Sequence, residues 1–201
     1  MKKLIVGILG AGALMVLPSV ARAGIAGTAH DLSGANYGTD QICIFCHTPH
    51  NAKSPQLAPL WNHASTVATY TLYQSTTLNA VPGQPAGTSK ACLSCHDGTV
   101  AVDSYGSTTG TDLITGDANV GTDLRNDHPI SFPYNAALVT ADGGGLNTPD
   151  SASWVDVAKT VPLYAASLEC ASCHNVHSDA NSPFLRVANT GSALCLKCHN
   201  K

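Results

Sequence analysis

The chain has few of the side chains that build an ordinary apolar core. Its 201 residues include only three Phe, two Trp and two Met, against 18 Gly and 11 Pro. Charged residues are also scarce, at 11% of the chain. A domain of this length normally buries a substantial apolar core. We therefore expect another source of apolar volume to take the place of large side chains.

Long apolar runs are absent except at the N-terminus. Two lysines precede an apolar stretch from residue 4 to 20, and residues 21–23 (Ala-Arg-Ala) form a small-x-small cleavage pattern. This arrangement is typical of a secretory signal peptide, so we expect residues 1–23 to be removed and residues 24–201 to be exported as one domain. No later segment approaches the roughly 18 apolar residues needed to cross a bilayer, so we expect no membrane span in the mature chain.

Basic residues are in deficit as well. Three of the 10 Lys and Arg residues lie within residues 1–23, which leaves seven against 13 acidic residues and a net charge near −6. Nucleic-acid binding depends on basic side chains that neutralise phosphates. We therefore expect no nucleic-acid partner.

Cysteine, in contrast, is plentiful and regularly placed: the eight cysteines form four pairs, each followed directly by a histidine. The pairs are Cys43/Cys46, Cys92/Cys95, Cys170/Cys173 and Cys195/Cys198. C-x-x-C-H is the signature of haem c attachment, in which two thiols add to the vinyl groups of one porphyrin and the histidine ligates its iron. The pattern predicts four covalent haems c. Their proximal iron ligands are then His47, His96, His174 and His199.

Other interpretations of the cysteine pairs account for less of the pattern. Zinc sites do not require a histidine directly after every pair. Disulfides between exported cysteines leave those histidines unexplained. A CxxC redox motif normally occurs once, on a thioredoxin-like pattern that is absent here. Haem also supplies the apolar volume that the side chains lack.

The remaining five histidines are candidates for the second axial ligand of each iron. They are His30, His50, His63, His128 and His177. Both methionines lie within residues 1–23, so histidine–methionine ligation is excluded and bis-histidine ligation is expected, with low potentials. We expect His30, His50, His128 and His177 to be the distal ligands, with His63 as the alternative. Which of His30, His63 and His128 is spare, or is donated to a neighbouring subunit, stays open.

Two of these histidines follow a motif histidine by three residues. They are His50, in CHTPH, and His177, in CHNVH. Residues three apart on a helix share a face, so neither one reaches the far side of the haem that its neighbour ligates. Each is therefore expected to serve a neighbouring haem, which would pack the haems into an electron path. Because candidate ligands outnumber the irons, we expect no open iron and no enzymatic activity.

The placing of the motifs indicates one irregular domain. The first cysteines of the motifs are unevenly spaced along the chain, which excludes a regular repeat array. Residues 103–150 are rich in Gly, Thr, Asp and Asn and predict mostly loop. Residues 66–78 are β-branched and aromatic and predict a short strand or a packing segment. We expect a mostly irregular chain with short α-helices at the haem motifs, wrapped around a chain of haems.

The motifs and their flanking residues resemble those of one family. The resemblance begins at His30 and runs through CIFCHTPHNA, PLWNH, CLSCHDGTV, DHPIS, CASCHNVHS and CLKCHN. The chain resembles the small multihaem cytochromes c of metal-reducing bacteria, in particular the OmcE-type tetrahaem cytochromes of extracellular filaments. The resemblance implies a continuous haem stack in a conductive polymer. It also implies that one distal histidine is donated by the adjacent subunit, with His30 and His128 as candidates.

The same resemblance gives the expected partners and location. The partners are other copies of the chain, redox partner cytochromes and extracellular electron acceptors. The location is an extracellular filament or the cell surface. A monomeric electron shuttle in the periplasm is the alternative.

Overall fold

Regular secondary structure occupies a small part of the chain. The computed structural model describes residues 24–34, 37–54 and 56–200, so the predicted signal peptide lies outside the described residues. The helices are α1 Gly87–His96, α2 Ala136–Ala141 and α3 Cys170–Cys173, with 3-10 turns at Gly116–Ala118, Thr190–Ser192 and Cys195–Lys197. An antiparallel sheet pairs two strands, β1 Phe132–Pro133 and β2 Ser167–Leu168. No helix within the described ranges is long and apolar enough to cross a membrane.

The mostly irregular chain that the sequence predicts is confirmed, and three of the four motifs carry short helical structure. The second motif ends α1, the third begins with α3, and the fourth lies on the Cys195–Lys197 turn. At the first motif the expected helix is wrong, because Cys43 to His47 form only a single turn. The Phe45 ring of that turn is 1% exposed and packs edge-on against Tyr37 and Tyr105, so tertiary packing fixes the turn.

Helix α1 has a defined C-terminal stop. Asp97 is its C-cap, and the following Gly98 adopts φ +71°, the left-handed conformation that commonly ends helices. A Cβ at Gly98 would lie 2.6 Å from the Asn119 side-chain nitrogen, so space as well as φ requires glycine here. The helix therefore ends directly after the motif histidine, His96.

Small buried side chains allow α1 and α3 to pack together. Ser89 and Ser172 are fully buried, and the Ser89 hydroxyl accepts a hydrogen bond from the Cys170 backbone N–H at 2.9 Å. Glu169 caps α3 through a reciprocal capping box with Ser172 and also accepts a bond from the Ser131 hydroxyl at 2.8 Å. These polar contacts hold the second and third motifs side by side.

The largest apolar cluster lies around the two-stranded sheet. Its buried members are Phe132, Tyr134, Leu138, Val155, Val161, Leu163 and Leu168. The β1–β2 pairing sets Phe132 opposite Leu168. Leu194 and Cys198 pack against the cluster, so the core is continuous with the fourth motif.

The two segments singled out in the sequence fold as follows. Residues 66–78 form a packing segment without a strand, and Tyr70 from it is buried with Leu93 and Leu124. The stretch 103–150 is mostly loop, as predicted, but it also contains β1 and α2. Helix α2 begins where the Asn135 side chain accepts a bond from the Leu138 N–H, an N-cap within a polar stretch.

Candidate haem-binding sites

Every C-x-x-C-H motif closes a tight turn from its first cysteine to its histidine. In the first motif the His47 N–H donates to the Cys43 carbonyl at 2.8 Å. The third and fourth motifs make the same bond, from His174 to Cys170 at 3.0 Å and from His199 to Cys195 at 2.9 Å. The second motif lies within helix α1. Two thiols and an imidazole are thus held within one turn of backbone, as attachment to one haem requires.

The second cysteine of every motif is partly buried. Burial raises the pKa of Cys46 and Cys173 to about 11, and that of Cys95 and Cys198 to about 12. All eight cysteines are free of disulfides. Because zinc binds the thiolate form, burial opposes the zinc interpretation of these pairs.

The first cysteines of the second and third motifs contact each other. The Cys92 thiol donates a hydrogen bond to the Cys170 sulfur, which raises the pKa of Cys92 well above its ordinary value. This contact follows from the packing of α1 on α3. The attachment sites of two predicted haems are therefore adjacent.

Backbone carbonyls orient the motif histidines. The Nδ1 atom of His47 lies 2.7 Å from the Pro59 carbonyl oxygen. His96 and His174 make the same contact, to Ala118 at 2.8 Å and to Pro183 at 3.0 Å. Because a carbonyl only accepts, each Nδ1 carries the proton and Nε2 is left with its lone pair. This is the usual arrangement of a metal-ligating histidine.

Three motif histidines each lie opposite one of the distal candidates. Ring centroids are 6.0 Å apart for His96 and His30, 6.2 Å for His47 and His177, and 6.3 Å for His199 and His128. Two imidazoles on opposite sides of one metal ion, with bonds of about 2.0 Å and about 1.1 Å from nitrogen to ring centre, would place their centroids about 6.2 Å apart. The two rings of each pair would therefore leave room for one metal ion between them.

Two of the paired distal candidates are held in the neutral, ligating form. Burial lowers the pKa of His30, and the nearby His96 and His177 lower it further. Burial followed by the charge of His47 lowers the pKa of His177. The Nδ1 atom of His128 lies 2.8 Å from the Pro129 carbonyl oxygen, which leaves Nε2 as the free nitrogen.

The other three histidines, His50, His63 and His174, do not take part in these ring pairs. Within the described part of the chain, His174 has no ring partner, and the exposed His50 ring has neither a ring partner nor a hydrogen bond. His63 is 1% exposed, and its Nδ1 and Nε2 atoms lie 2.7 Å and 3.0 Å from the carbonyl oxygens of Ala64 and Ala101. Both nitrogens of His63 thus face backbone carbonyls, one of which accepts the single N–H of the neutral ring, whereas the exposed His50 ring is free to bind elsewhere.

The helical premise behind the predicted roles of His50 and His177 is wrong. Helix α3 ends at Cys173, and His174 has the extended backbone angles φ −108° and ψ 147°. Residues 47–50 are also non-helical. An isolated antiparallel bridge from His174 to Leu185 replaces the helical turn. His177 itself lies in a turn that the Ser178 N–H closes on the Asn175 carbonyl at 2.9 Å, so its position opposite His47 comes from this non-helical segment.

A cavity of about 630 Å³ surrounds the His128–His199 pair. Its wall includes Cys198 and the apolar side chains Phe132, Leu138, Leu146 and Leu168. A ligand pocket of this kind is concave and mostly apolar with a few converging polar groups. The cavity thus combines a motif cysteine, two histidines and apolar walls, a lining that would suit a haem at the fourth motif.

Three buried polar atoms lack a partner within the described residues. They are His30 Nδ1, Trp61 Nε1 and Thr88 Oγ1. Each lies beside a motif: His30 against His96, Trp61 against His47, and Thr88 in the helix of the second motif. Buried polar groups in proteins are normally satisfied. A haem bound at the neighbouring motif would lie close to each of these three atoms.

A carboxylate network beside the second motif was not anticipated from the sequence. Asp97 is 4% exposed and accepts bonds from Thr66 Oγ1 and Tyr70 Oη at 2.6 Å, and from the Thr99 N–H and hydroxyl at 2.7 Å. Burial acts to raise the pKa of Asp97, but these bonds outweigh it and hold the pKa below its usual value. Its position directly after His96 was the only sequence signal.

The comparisons with known proteins agree with this site. Residues 164–201, which include the third and fourth motifs, match the family model described as doubled CXXCH motif. Among curated proteins, no sequence matches the chain. The doubled motif is a multihaem motif like that of c-type cytochromes, found in haem-binding electron-transfer proteins, and it points to covalently bound c-type haem.

Proposed function

We propose that the chain is a tetrahaem electron-transfer protein that works as the subunit of an extracellular filament. The ring pairs carry the proposal, because their spacing of 6.0–6.3 Å accommodates one iron between two imidazoles. We assign His177 to the haem of the first motif, His30 to that of the second and His128 to that of the fourth. When bound, haem c with two histidine ligands supplies one-electron chemistry at low potential.

The residues of the chain have three tasks in this function. The cysteines anchor each group, and the Nδ1 contacts to carbonyls fix the orientation of the ligating rings. Neutral His30 and His177 keep an unprotonated nitrogen available for iron. The Cys92–Cys170 contact holds two attachment sites next to each other, which favours rapid transfer between neighbouring groups.

The filament part of the proposal depends on His174 and His50. His174 has no ring partner within the described residues, and His63 is enclosed by backbone carbonyls. The exposed, unbonded His50 ring is therefore the best candidate for the fourth distal ligand, donated to His174 of a second copy. This assignment replaces His30 and His128 as the donor, because both lie opposite a motif histidine of their own chain.

The monomeric periplasmic shuttle is the alternative, and it makes a different prediction for His174. In a lone subunit, the iron bound by His174 at the third motif would have no distal imidazole from the described residues. An iron with an open sixth position is high-spin and available to small ligands, which is also what a multihaem oxidoreductase needs. The spin state of the iron at His174 therefore distinguishes a filament subunit from a monomeric shuttle or an enzyme.

Two measurements on the secreted protein test the proposal. Intact mass and the pyridine haemochrome spectrum should give four haems per chain, one for each motif. Electron paramagnetic resonance of the assembled material should show low-spin haem only, and electron microscopy should show filaments. Fewer than four haems would contradict the tetrahaem assignment. A single-subunit species with a high-spin fraction at every concentration would support the shuttle or the enzyme.

A further inference from the structure

The indole of Trp61 lies between the first two motifs with an unsatisfied donor. The side chain is 7% exposed and packs with Leu57, Ala91 and Cys46. Ala91 precedes the attachment residue Cys92, so the ring contacts the surroundings of both motifs. Its Nε1–H has no partner within the described residues. An indole N–H buried in this way normally finds an acceptor, because leaving it unpaired is unfavourable.

Hydrogen bonds and one antiparallel bridge hold the backbone of Trp61 in place. Its N–H donates to the Ala58 carbonyl at 3.1 Å, and its carbonyl accepts from the Lys53 N–H at 2.8 Å. An antiparallel bridge joins it to His47, and the two rings meet edge-on with centroids 6.5 Å apart. The indole therefore holds its donor beside the proximal ligand of the first haem site.

The chemistry of haem restricts what the indole can bind. The edge of haem c is hydrocarbon except for the weakly accepting thioether sulfurs and two propionate carboxylates. A donor that faces this group is therefore satisfied well only by a propionate, and a charged acceptor gives the stronger bond. Lys53, whose charge acts on the nearby His63, adds a cation to this region. With 13 acidic and few basic residues in the chain, such local support for a carboxylate is scarce.

We infer that the Trp61 Nε1–H donates a hydrogen bond to a haem propionate at the first or second motif. Trp61 is then a positioning residue, which fixes the rotation of that haem within its site and keeps the carboxylate ionised. This inference rests on the proposed haem function. It adds a binding contact that the C-x-x-C-H motifs do not specify.

Nuclear magnetic resonance of the fully reduced protein tests the contact, because the low-spin haems proposed at the first and second motifs are diamagnetic in that state. With ¹⁵N-labelled tryptophan, the Trp61 indole proton should resonate downfield, exchange slowly with solvent and show a nuclear Overhauser effect to propionate methylene protons. The partly buried Trp154 is the internal reference. An effect that persists in separated subunits assigns the propionate to the same chain, and one that appears only in the polymer assigns it to the next copy; both support the contact. No such effect, with exchange as fast as at Trp154, would overturn it.

An isosteric replacement gives a second readout. In a W154F background, 3-benzothienylalanine at position 61 replaces the indole N–H by sulfur and keeps the packing. The ¹³C resonance of one propionate carboxyl should shift while the others stay in place, and the haem count should not change. Four unchanged sets of propionate resonances would contradict the contact. A reduced haem count in the unmodified protein would instead contradict the haem function itself, so the two failures are distinguishable.

Discussion

The imidazoles of His47 and His177 lie 6.2 Å apart with 20° between their planes, although one belongs to the first motif and the other follows the third. We predict that His177→Ala leaves all four haems attached, because no cysteine or proximal histidine changes. One haem should convert from low-spin to high-spin, since its distal nitrogen is lost. Electron paramagnetic resonance and visible spectra of the variant check this. Val176→Ala is the matched control, and a fully low-spin His177→Ala protein would reassign the ligand.

A comparison of His50 and His63 tests the donated ligand. We predict that His50→Ala abolishes filaments and produces one high-spin haem per subunit, because the exposed ring serves a second copy. His63→Gln should keep filaments and low-spin haem, since both nitrogens of His63 face carbonyls of its own chain. Electron microscopy and spin-state spectra distinguish the variants. Filaments of normal length from His50→Ala would remove His50 from the interface.

The Asp97 network should contribute to stability in a pH-dependent way. Its hydrogen bonds hold the folded-state pKa of Asp97 below its usual value despite burial, so the stabilisation is present above the unfolded-state pKa of about 3.9 and is lost as pH falls through the folded-state pKa. We predict that Asp97→Asn lowers the free energy of unfolding at pH 7 by about 1–3 kcal/mol. The difference from the unaltered protein should shrink below about pH 4.

Guanidinium unfolding at pH 7 and pH 3 measures the effect of Asp97→Asn. Asp117→Asn, at an exposed position of the 3-10 turn, is the control and should change stability little at either pH. An equal loss for Asp97→Asn at both pH values would show that shape, and not charge, is responsible.

The hydroxyl of Tyr134 ties the main apolar cluster to the fourth motif. It donates to the Asn147 carbonyl at 2.6 Å and lies 3.2 Å from the Cys198 carbonyl oxygen, with the ring 2% exposed. We predict that Tyr134→Phe destabilises the protein by about 1 kcal/mol, because the partly buried Asn147 carbonyl loses its donor, whereas the Cys198 carbonyl still accepts from the Asn147 N–H. Tyr73→Phe alters the same cavity wall at a tyrosine with no such bond and should be close to neutral. Thermal unfolding of the two variants compares them directly.

Sequence reasoning went furthest where chemistry is local. The C-x-x-C-H pattern places the cysteines and the proximal histidine within five consecutive residues, so attachment sites can be identified without a fold. The uneven spacing of the motifs and the Gly-rich stretch at residues 103–150 likewise predicted the irregular chain. The ring pairs were beyond such reasoning, because they join segments through loops that have no periodicity. His177 illustrates this: helical spacing gave a plausible role, but helix α3 ends at Cys173 and a turn at residues 176–177 determines where the ring lies.

Burial distinguishes His50 from His63, and the sequence alone does not show which of the two is buried. His50 is marked by its position three residues after His47, but no local pattern shows whether His50 or His63 is exposed in the fold. Only the folded chain shows that carbonyls from residues 64 and 101 enclose one ring while the other stays exposed. Asp97 and Trp61 were likewise recognisable only once their neighbours from distant segments were in place.

The ring pairs also bear on how so irregular a chain stays folded. In the proposed ligation three of the four irons join a histidine near their own attachment cysteines to one from a remote part of the same chain, so these three haems act as cross-links. Closing long loops in this way lowers the conformational entropy of the unfolded chain, as a disulfide does. The cofactors would then hold together a domain in which the sheet of the described residues has two strands of two residues each. Its mechanical strength would depend on metal–ligand bonds more than on secondary structure.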